Sequence, residues 1–316
     1  MRSNYRMLDL FSGMGGLSYG FSMNNFNVTG IELNQSASLE YTRLTGGNNI
    51  NASVSNYRIT ENYDVIAGGP PCKPWSPVNL QRRGKTHRDY HLVSEFFSII
   101  LDRKPRVFIM ENVPFIRNDP IIRRGIEKLK VAGYDISSRI VTYSDFGAAT
   151  SRSRFFITGT LDIKNQIFDY LSRYIVSPVT VRDVIWRYHD MPENFNRDHV
   201  WPHVKTIHRY IEKYSTGRFG WRRLEWGKPA PSFGNVTKTY ILHPDSTPES
   251  ESARTISVFE ALNIMGFYNF NFSPGLPLSL RYQMVVDSVS PVFSLALASV
   301  IKQILEENPD EIPARY

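Results

Sequence analysis

Apolar and polar positions alternate between two periods along the first half of the chain. Residues 5–11 carry Met7, Leu8 and Leu10 in a short apolar run, which predicts a buried strand. Ser12-Gly13-Met14-Gly15-Gly16 predicts a tight turn, followed by a helix to about Asn24. A second strand is expected over 27–31, ending in Glu32, and a second helix over 35–44. A short apolar strand at 64–67 is halted by Gly68-Gly69-Pro70-Pro71. Residues 91–102 have helical spacing, with Leu92, Phe96 and Ile99 on one face and Pro105 as the stop. Another apolar strand covers 106–110, a helix covers 121–131 with Gly133 as its stop, and strand-like runs follow at 136–142 and 154–158. From about 161 to 252 the periodicity weakens. Pattern returns at 254–267 and at the C-terminus, where Ser290 can cap a helix with Pro291 in its first position and Phe293, Leu297, Ile301 and Ile304 at helical spacing.

Alternating strands and helices predict an α/β fold, a parallel sheet covered by helices on both faces. Such sheets bind ligands at the carboxyl ends of their strands. The turns after Phe11, Ile31, Ala67 and Met110 would share that edge, and they hold the most unusual residues in the chain. The middle region interleaves Trp186, Arg187, Trp201, His203, His208, Arg209, Lys213, Arg218, Trp221, Arg222, Arg223 and Trp226 with recurrent prolines. It reads as a small domain with little regular structure. The expected division is 1–161 and 253–316 for one catalytic unit, with 162–252 as the inserted domain.

Composition narrows the field. A chain of 316 residues, 41% hydrophobic and 21% charged, can bury a sizeable core and is not of disordered type. No apolar run of membrane-spanning length is expected, nor a secretory signal, so the expected location is the cytosol. The single cysteine, Cys72, excludes an intrachain disulfide and a cysteine-based metal cluster. Without context, a lone cysteine is more often a small buried hydrophobe than a nucleophile. A net charge of +7 suits an anionic partner such as nucleic acid, without requiring one.

Context changes the reading of Cys72. Two glycines and two prolines fix a bend at a strand end, and the cysteine follows it with Lys73 adjacent and Arg82, Arg83, Lys85 and Arg88 further on. Residues 73–90 have no clear periodicity and form a candidate lid. Glu111, in Glu111-Asn112-Val113, ends a strand on the same edge and suits a proton donor or hydrogen-bond partner to a heterocycle. Taken alone, it is more often a surface glutamate. Arg152 and Arg154, two apart at a strand, could hold a carbonyl oxygen or a phosphate. The glycine turn at 13–16 lets backbone approach a ligand, and Glu32 can take both hydroxyls of a ribose, so the pair points to an adenosine-containing cofactor. The turn is not the dinucleotide G-x-G-x-x-G, because Ser18 stands at the third glycine position.

Asp9-Leu10-Phe11-Ser12-Gly13-Met14-Gly15-Gly16, Gly68-Gly69-Pro70-Pro71-Cys72-Lys73-Pro74-Trp75-Ser76 and Glu111-Asn112-Val113 resemble, in order and spacing, three signatures of the cytosine-5 DNA methyltransferases. Arg152-Ser153-Arg154 is similar to a fourth, and Arg254-Thr255-Ile256-Ser257-Val258-Phe259-Glu260 with Gly266-Phe267 to a fifth. The resemblance implies a doubly wound, mixed but mostly parallel sheet of the S-adenosylmethionine-dependent methyltransferase type, with a small irregular target-recognition domain in the middle region. It implies that Cys72 attacks carbon 6 of cytosine, that Glu111 holds and protonates nitrogen 3, and that Arg154 and Arg152 contact the base carbonyl and the cysteine loop. It implies S-adenosylmethionine contacts from Phe11, Ser12, Gly13, Met14, Gly15, Gly16, Glu32, Leu33, Asn51, Ala52, Pro71, Leu92, Asp287 and Ser288, and no metal. The implied partner is double-stranded DNA, bound by a monomer alongside a restriction endonuclease for the same site, and the target base must leave the stack.

The chain departs from the family pattern at three places. Asn51 stands where aspartate is usual at the end of the third strand, Thr150 replaces the glutamine of Q-x-R-x-R, and Val286-Asp287 replaces Gly-Asn near the C-terminus. Three other readings remain open. One is an RNA-methylating relative, and one is a DNA-binding relative weakened in catalysis. The sheet alone also admits a nicotinamide dehydrogenase, against which the missing glycine and the Cys72 loop argue.

Overall fold

The computed structural model describes residues 5–75, 84–217 and 221–309. Ser76, Arg82, Arg83 and Arg218, named above, and the N-terminal Met1-Arg2-Ser3-Asn4 lie outside them. The strands are β1 (Arg6–Leu10), β2 (Asn27–Glu32), β3 (Asn48–Asn51), β4 (Val65–Gly68), β5 (Val107–Asn112), β6 (Tyr134–Thr142) and β7 (Ser153–Leu161). The helices of the first half are α1 (Gly16–Met23), α2 (Gln35–Thr45), α3 (Leu92–Arg103) and α4 (Pro120–Val131). Short helices α5 (Ile167–Leu171), α6 (Val181–Ile185) and α7 (Ile211–Thr216) occupy the middle region. Helices α8 (Val258–Met265), α9 (Leu278–Asp287) and α10 (Pro291–Glu307) complete the fold.

The strands form one seven-stranded sheet in the order β3-β2-β1-β4-β5-β7-β6. Pairings from β3 to β5 are parallel, whereas β7 runs antiparallel to both β5 and β6. This is the expected mixed, mostly parallel, doubly wound sheet. Its strand order reverses between β1 and β4, which opens a crevice at their carboxyl ends. Side-chain alternation divides the core between the two faces. Met7, Val65, Val107, Ile109 and Phe156 pack on the side of α1, α2 and α10. Leu8, Ile66, Phe108, Met110 and Ile157 pack on the side of α3 and α4.

Several expectations are corrected. In α3 the buried residues are Val93, Phe96, Phe97 and Ile100, so its inward face is rotated by one residue from the expected one. Packing against α4 accounts for this, because Phe97 sits over Gly125, where a Cβ would fall 2.3 Å from its ring. Ser290 stands at the N-cap of α10, but its hydroxyl donates to the Met265 carbonyl (2.8 Å) and its oxygen accepts no backbone N–H of the helix. Arg152 precedes β7, and only Arg154 lies within it. The segment Leu278–Glu307 is long and apolar enough to span a bilayer, contrary to the expectation that no such run exists. It is broken by the extended backbone of Ser288, and 72% of its most apolar stretch is buried inside the fold.

The middle region is tied to the second half by buried polar contacts. Asp198 is fully buried and accepts from Arg281 Nη1 (2.8 Å) and from the Phe272 backbone N–H (2.7 Å). Within the 253–316 segment, Glu260, also fully buried, receives both terminal nitrogens of Arg254 at 2.9 and 3.0 Å. Burial opposes ionisation of Glu260, but the Arg254 hydrogen bonds and charge outweigh it and hold the carboxyl below its usual range.

Candidate active site

Four parallel strands end side by side, with Leu10 level with Ile31 and Gly68, and Gly68 level with Met110. The next residues along the chain therefore gather at one edge. On β2 that residue is Glu32, whose carboxylate accepts the Gly13 N–H (2.9 Å) and the Asn34 N–H (2.7 Å). Phe11 has φ of +60°, a strained backbone for a phenylalanine, and it turns the chain sharply out of β1. Ser12 knits the turn to its neighbours, its N–H donating to the Ile31 carbonyl and its Oγ accepting from Asn49 Nδ2 (3.0 Å). Met14 is buried beneath the turn. Gly16 has no room for a side chain, since a Cβ would fall 2.3 Å from the Val289 carbonyl oxygen. That contact seats the start of α1 on Ser288 and Val289, and so brings the first and last expected cofactor segments together. Ser288 donates its hydroxyl to the Met284 carbonyl (2.7 Å).

Asn51 shows what its replacement of aspartate achieves. Its side-chain NH₂ donates to the carbonyls of Glu32 (2.9 Å) and Leu33 (3.0 Å), bonds that an aspartate could not make. The Ala52 N–H also reaches the Glu32 carbonyl (3.1 Å). Beside them Leu33 is 72% exposed, an apolar side chain lying open at the crevice edge. Leu92 is half-buried at the start of α3. Beneath the turn, Asp9 is buried and accepts from Ser18 Oγ (2.7 Å). Burial pushes its carboxyl up to about 7, against the Ser18 hydrogen bond and with help from the charges of Glu32 and Glu111.

The second half of the edge carries Cys72, Glu111, Arg152 and Arg154. Cys72 is half-buried after Pro70-Pro71, and its carbonyl accepts the Trp75 N–H (2.9 Å). Asn112, buried at the end of β5, donates to the Pro70 carbonyl (2.8 Å) and fixes the proline bend to the neighbouring strand. Glu111 points at this bend. A Cβ on Gly69 would lie 2.9 Å from Glu111 Oε2, so glycine there leaves room for the carboxylate. Arg154 Nε meets Glu111 Oε1 at 2.9 Å, with each side chain only 12% exposed. Arg152 is buried and donates through one Nη to the Val286 carbonyl and through the other to Ser232 Oγ (3.5 Å). Burial and the Arg154 charge lower its guanidinium to about 10. Thr150, at the position of the expected glutamine, accepts the Arg152 N–H (3.3 Å).

These charges act on one another. Burial pushes the Cys72 thiol up, Arg154 and Arg152 oppose it, and Asp287 and Glu111 add to it. Burial likewise raises Glu111 against the pull of Arg154 and Arg152. Asp287 is exposed and bonds Gln283 of its own helix (2.8 Å). Its field reaches Cys72, Glu111 and Arg152, and it adjoins the expected cofactor residue Ser288. Removing that charge in Asp287→Asn should stabilise the thiolate, so the midpoint for Cys72 alkylation moves to lower pH. Iodoacetamide labelling across a pH series measures this directly, because the chain has one cysteine.

In the middle region Trp221 is buried, whereas Trp186 is 41% exposed. His189 stacks on Trp186 at 4.2 Å and the Arg182 guanidinium lies 4.2 Å from the same ring. Residue 230 reaches the site itself, where the Ala230 N–H and carbonyl bond Ala149 and Ser151 at 2.8 Å each.

The sheet order, with β7 antiparallel in an otherwise parallel core, defines a doubly wound α/β fold with Cys72, Glu111 and Arg154 gathered at its carboxyl edge. Solved structures agree on that fold. The Entamoeba histolytica methyltransferase EhMeth superposes with a TM-score of 0.71 at 19% identity, over 98% of this chain and 100% of that one. The S. pombe Dnmt2 methyltransferase gives 0.69 at 17%, over 97% and 100%. The model of the C-5 cytosine-specific DNA methylases matches residues 5–303, and the chain belongs to that family of enzymes. Type II methyltransferase M.HindV of Haemophilus influenzae is 29% identical, over 75% of this chain and 84% of its own. M.MthTI of Methanothermobacter thermautotrophicus is 27% identical over 96% and 98%.

Proposed function

We propose that the protein methylates carbon 5 of a flipped-out cytosine within a specific double-stranded DNA sequence, with Cys72 as nucleophile. The observation that carries this reading is the convergence of Cys72 and the Glu111–Arg154 pair at the strand ends that border the crevice. The likeness to Type II methyltransferases supports a modification role. On this reading the protein acts in the cytoplasm as a monomer and protects host DNA from an endonuclease of the same specificity.

The crevice fits the cofactor. Glu32 uses one N–H bond on each oxygen, and a carboxylate has roughly four acceptor sites, so it retains capacity for two ribose hydroxyls. Asn51 keeps Oδ1 for an amino group, Leu33 offers an apolar face to a flat ring, and among the described residues nothing lies within 4 Å of where a Cβ on Gly13 would be. Phe11 to Gly16, Ala52, Pro71, Leu92, Asp287 and Ser288 would line the rest. When bound there, S-adenosylmethionine supplies an activated methyl carbon.

The side chains of this chain do the remaining work. The Cys72 thiolate adds to carbon 6 of the ring, and the electron pair of the 5,6 double bond moves toward nitrogen 3 and carbon 5. Glu111, kept protonatable by burial, donates to nitrogen 3 and so removes the charge that addition places on the ring. Arg154 orients Glu111 and with Arg152 faces the base carbonyl. After transfer to carbon 5, loss of its proton to a solvent base re-forms the double bond and expels the Cys72 sulfur as thiolate, and nitrogen 3 returns its proton to Glu111. In duplex DNA this requires the cytosine to leave the stack. Residues 162–252 would then read the flanking bases, with exposed Arg187, Arg222, Arg223 and Trp186 as the groups available for phosphates, guanine edges and stacking.

Expression in a host without cytosine methylation, followed by bisulfite sequencing, tests the assignment. One short motif should become fully resistant to conversion. Uniform conversion of the host DNA by an expressed, folded protein would contradict it, and transfer to RNA but not to DNA in a competition assay would move the enzyme to the RNA reading.

A further inference from the structure

A cluster outside the reaction centre joins both sides of the cysteine loop. Asp119, the N-cap residue of α4, accepts the Trp75 indole N–H on Oδ2 (2.8 Å) and the Tyr90 hydroxyl on Oδ1 (2.6 Å). Its Oδ1 also accepts the Ile121 N–H (2.9 Å), which caps the helix. The Trp75 and Tyr90 rings lie against each other at 5.4 Å. Trp75 is buried, and its backbone N–H donates to the carbonyl of Cys72. In sequence, Trp75 follows the nucleophile by three residues and Tyr90 precedes α3 by two. One carboxylate thus holds the turn of the cysteine to the start of α3 and to the first turn of α4.

Resting on the assignment of Cys72 as nucleophile, we propose that Asp119 is a positioning residue for methyl transfer, acting through Trp75 on the turn that aims the Cys72 sulfur. A cap alone needs only the Ile121 bond. The two extra bonds come from side chains 44 and 29 residues away, and both lead to the cysteine loop. Burial works against the charge of Asp119, but the bonds from Trp75, Tyr90 and Ile121 outweigh it, so the carboxyl stays below its usual range and remains an acceptor on both oxygens. The same bond, together with burial, pushes the Tyr90 hydroxyl up to about 12, which keeps it a donor.

Asp119→Asn separates positioning from capping. The asparagine oxygen can still cap Ile121, but its NH₂ cannot receive the indole N–H. Tyr90→Phe removes one bond and leaves the fold's apolar contacts in place, so it serves if Asp119→Asn folds poorly. The single-turnover methylation rate should fall about tenfold to a hundredfold in Asp119→Asn, the scale expected for a misplaced reacting atom. Tyr90→Phe should fall less, because it leaves the Trp75 bond in place, and the double variant should fall below Asp119→Asn, whose remaining oxygen can still accept the Tyr90 hydroxyl. S-adenosylmethionine affinity, measured by calorimetry, should stay within about twofold, because Trp75, Tyr90 and Asp119 are not themselves among the expected cofactor contacts. Iodoacetamide should alkylate Cys72 faster in Asp119→Asn, since the loosened turn exposes the thiol. Rates and alkylation unchanged in both single variants, with Cys72→Ser inactive, would overturn the role of Asp119 and leave the nucleophile assignment intact. Full activity of Cys72→Ser would instead sink the nucleophile assignment, and the alkylation series would still report whether Asp119 controls that turn.

Discussion

Replacing Cys72 by alanine should reduce methylation by on the order of 10⁴- to 10⁶-fold, the range in which loss of an enzyme's nucleophile falls. The expected size follows from what the sulfur does. Carbon 5 of cytosine is a poor nucleophile, and addition at carbon 6 is what makes it reactive. No second thiol exists in the chain to substitute. The substitution removes one half-buried sulfur from a turn otherwise held by Asn112 and Trp75, so the fold should persist. DNA binding by gel shift and S-adenosylmethionine binding by calorimetry should be retained. A loss of both would mean that the protein had unfolded and that the rate says nothing about chemistry.

Glu111→Gln has the second largest expected effect, a fall of about 10²- to 10⁴-fold, the usual contribution of a positioned general acid. Glutamine keeps the shape and can still hydrogen-bond nitrogen 3, but it has no proton to give. It also leaves Arg154 facing a neutral amide in a site only 12% exposed. The pH profile separates these effects. In the parent enzyme the Cys72 thiolate forms as pH rises, while the raised Glu111 loses its acidic proton as pH rises, so the rate should pass through a maximum. Glu111→Gln should abolish the alkaline fall and leave the acid limb, which belongs to Cys72. Single-turnover rates across pH make the comparison.

Much of this site is legible in the sequence because the signals are local. The glycine turn at 13–16, the bend at 68–71 and Glu111-Asn112 each sit at the end of an apolar strand, and parallel strands align such ends without further information. Residues set by contacts distant in sequence are not legible. The Asp119 cluster spans 44 residues, and only its Asp-Pro start, a helix N-terminus signal, is visible in the chain. Arg152 is buried because it reaches Val286, 134 residues away. Strand β3 has the sequence Asn-Asn-Ile-Asn and gives no apolar run, because it forms the edge of the sheet. Helix α9 is not legible for a related reason: Arg281, Gln283 and Asp287 interrupt its apolar pattern, Arg281 to bond Asp198 and Gln283 to bond Asp287.

The central claim is that Cys72 forms a covalent bond to the target base. DNA in which the target cytosine carries fluorine at carbon 5 tests it, because the final step needs loss of a proton from carbon 5 and fluorine cannot leave as a cation. With S-adenosylmethionine present, the protein should become joined to this DNA in a complex that survives denaturant, and mass spectrometry should find the base on the peptide containing Cys72. Methylation of ordinary DNA by the same preparation, with no joined complex on the fluorinated duplex, would contradict the account.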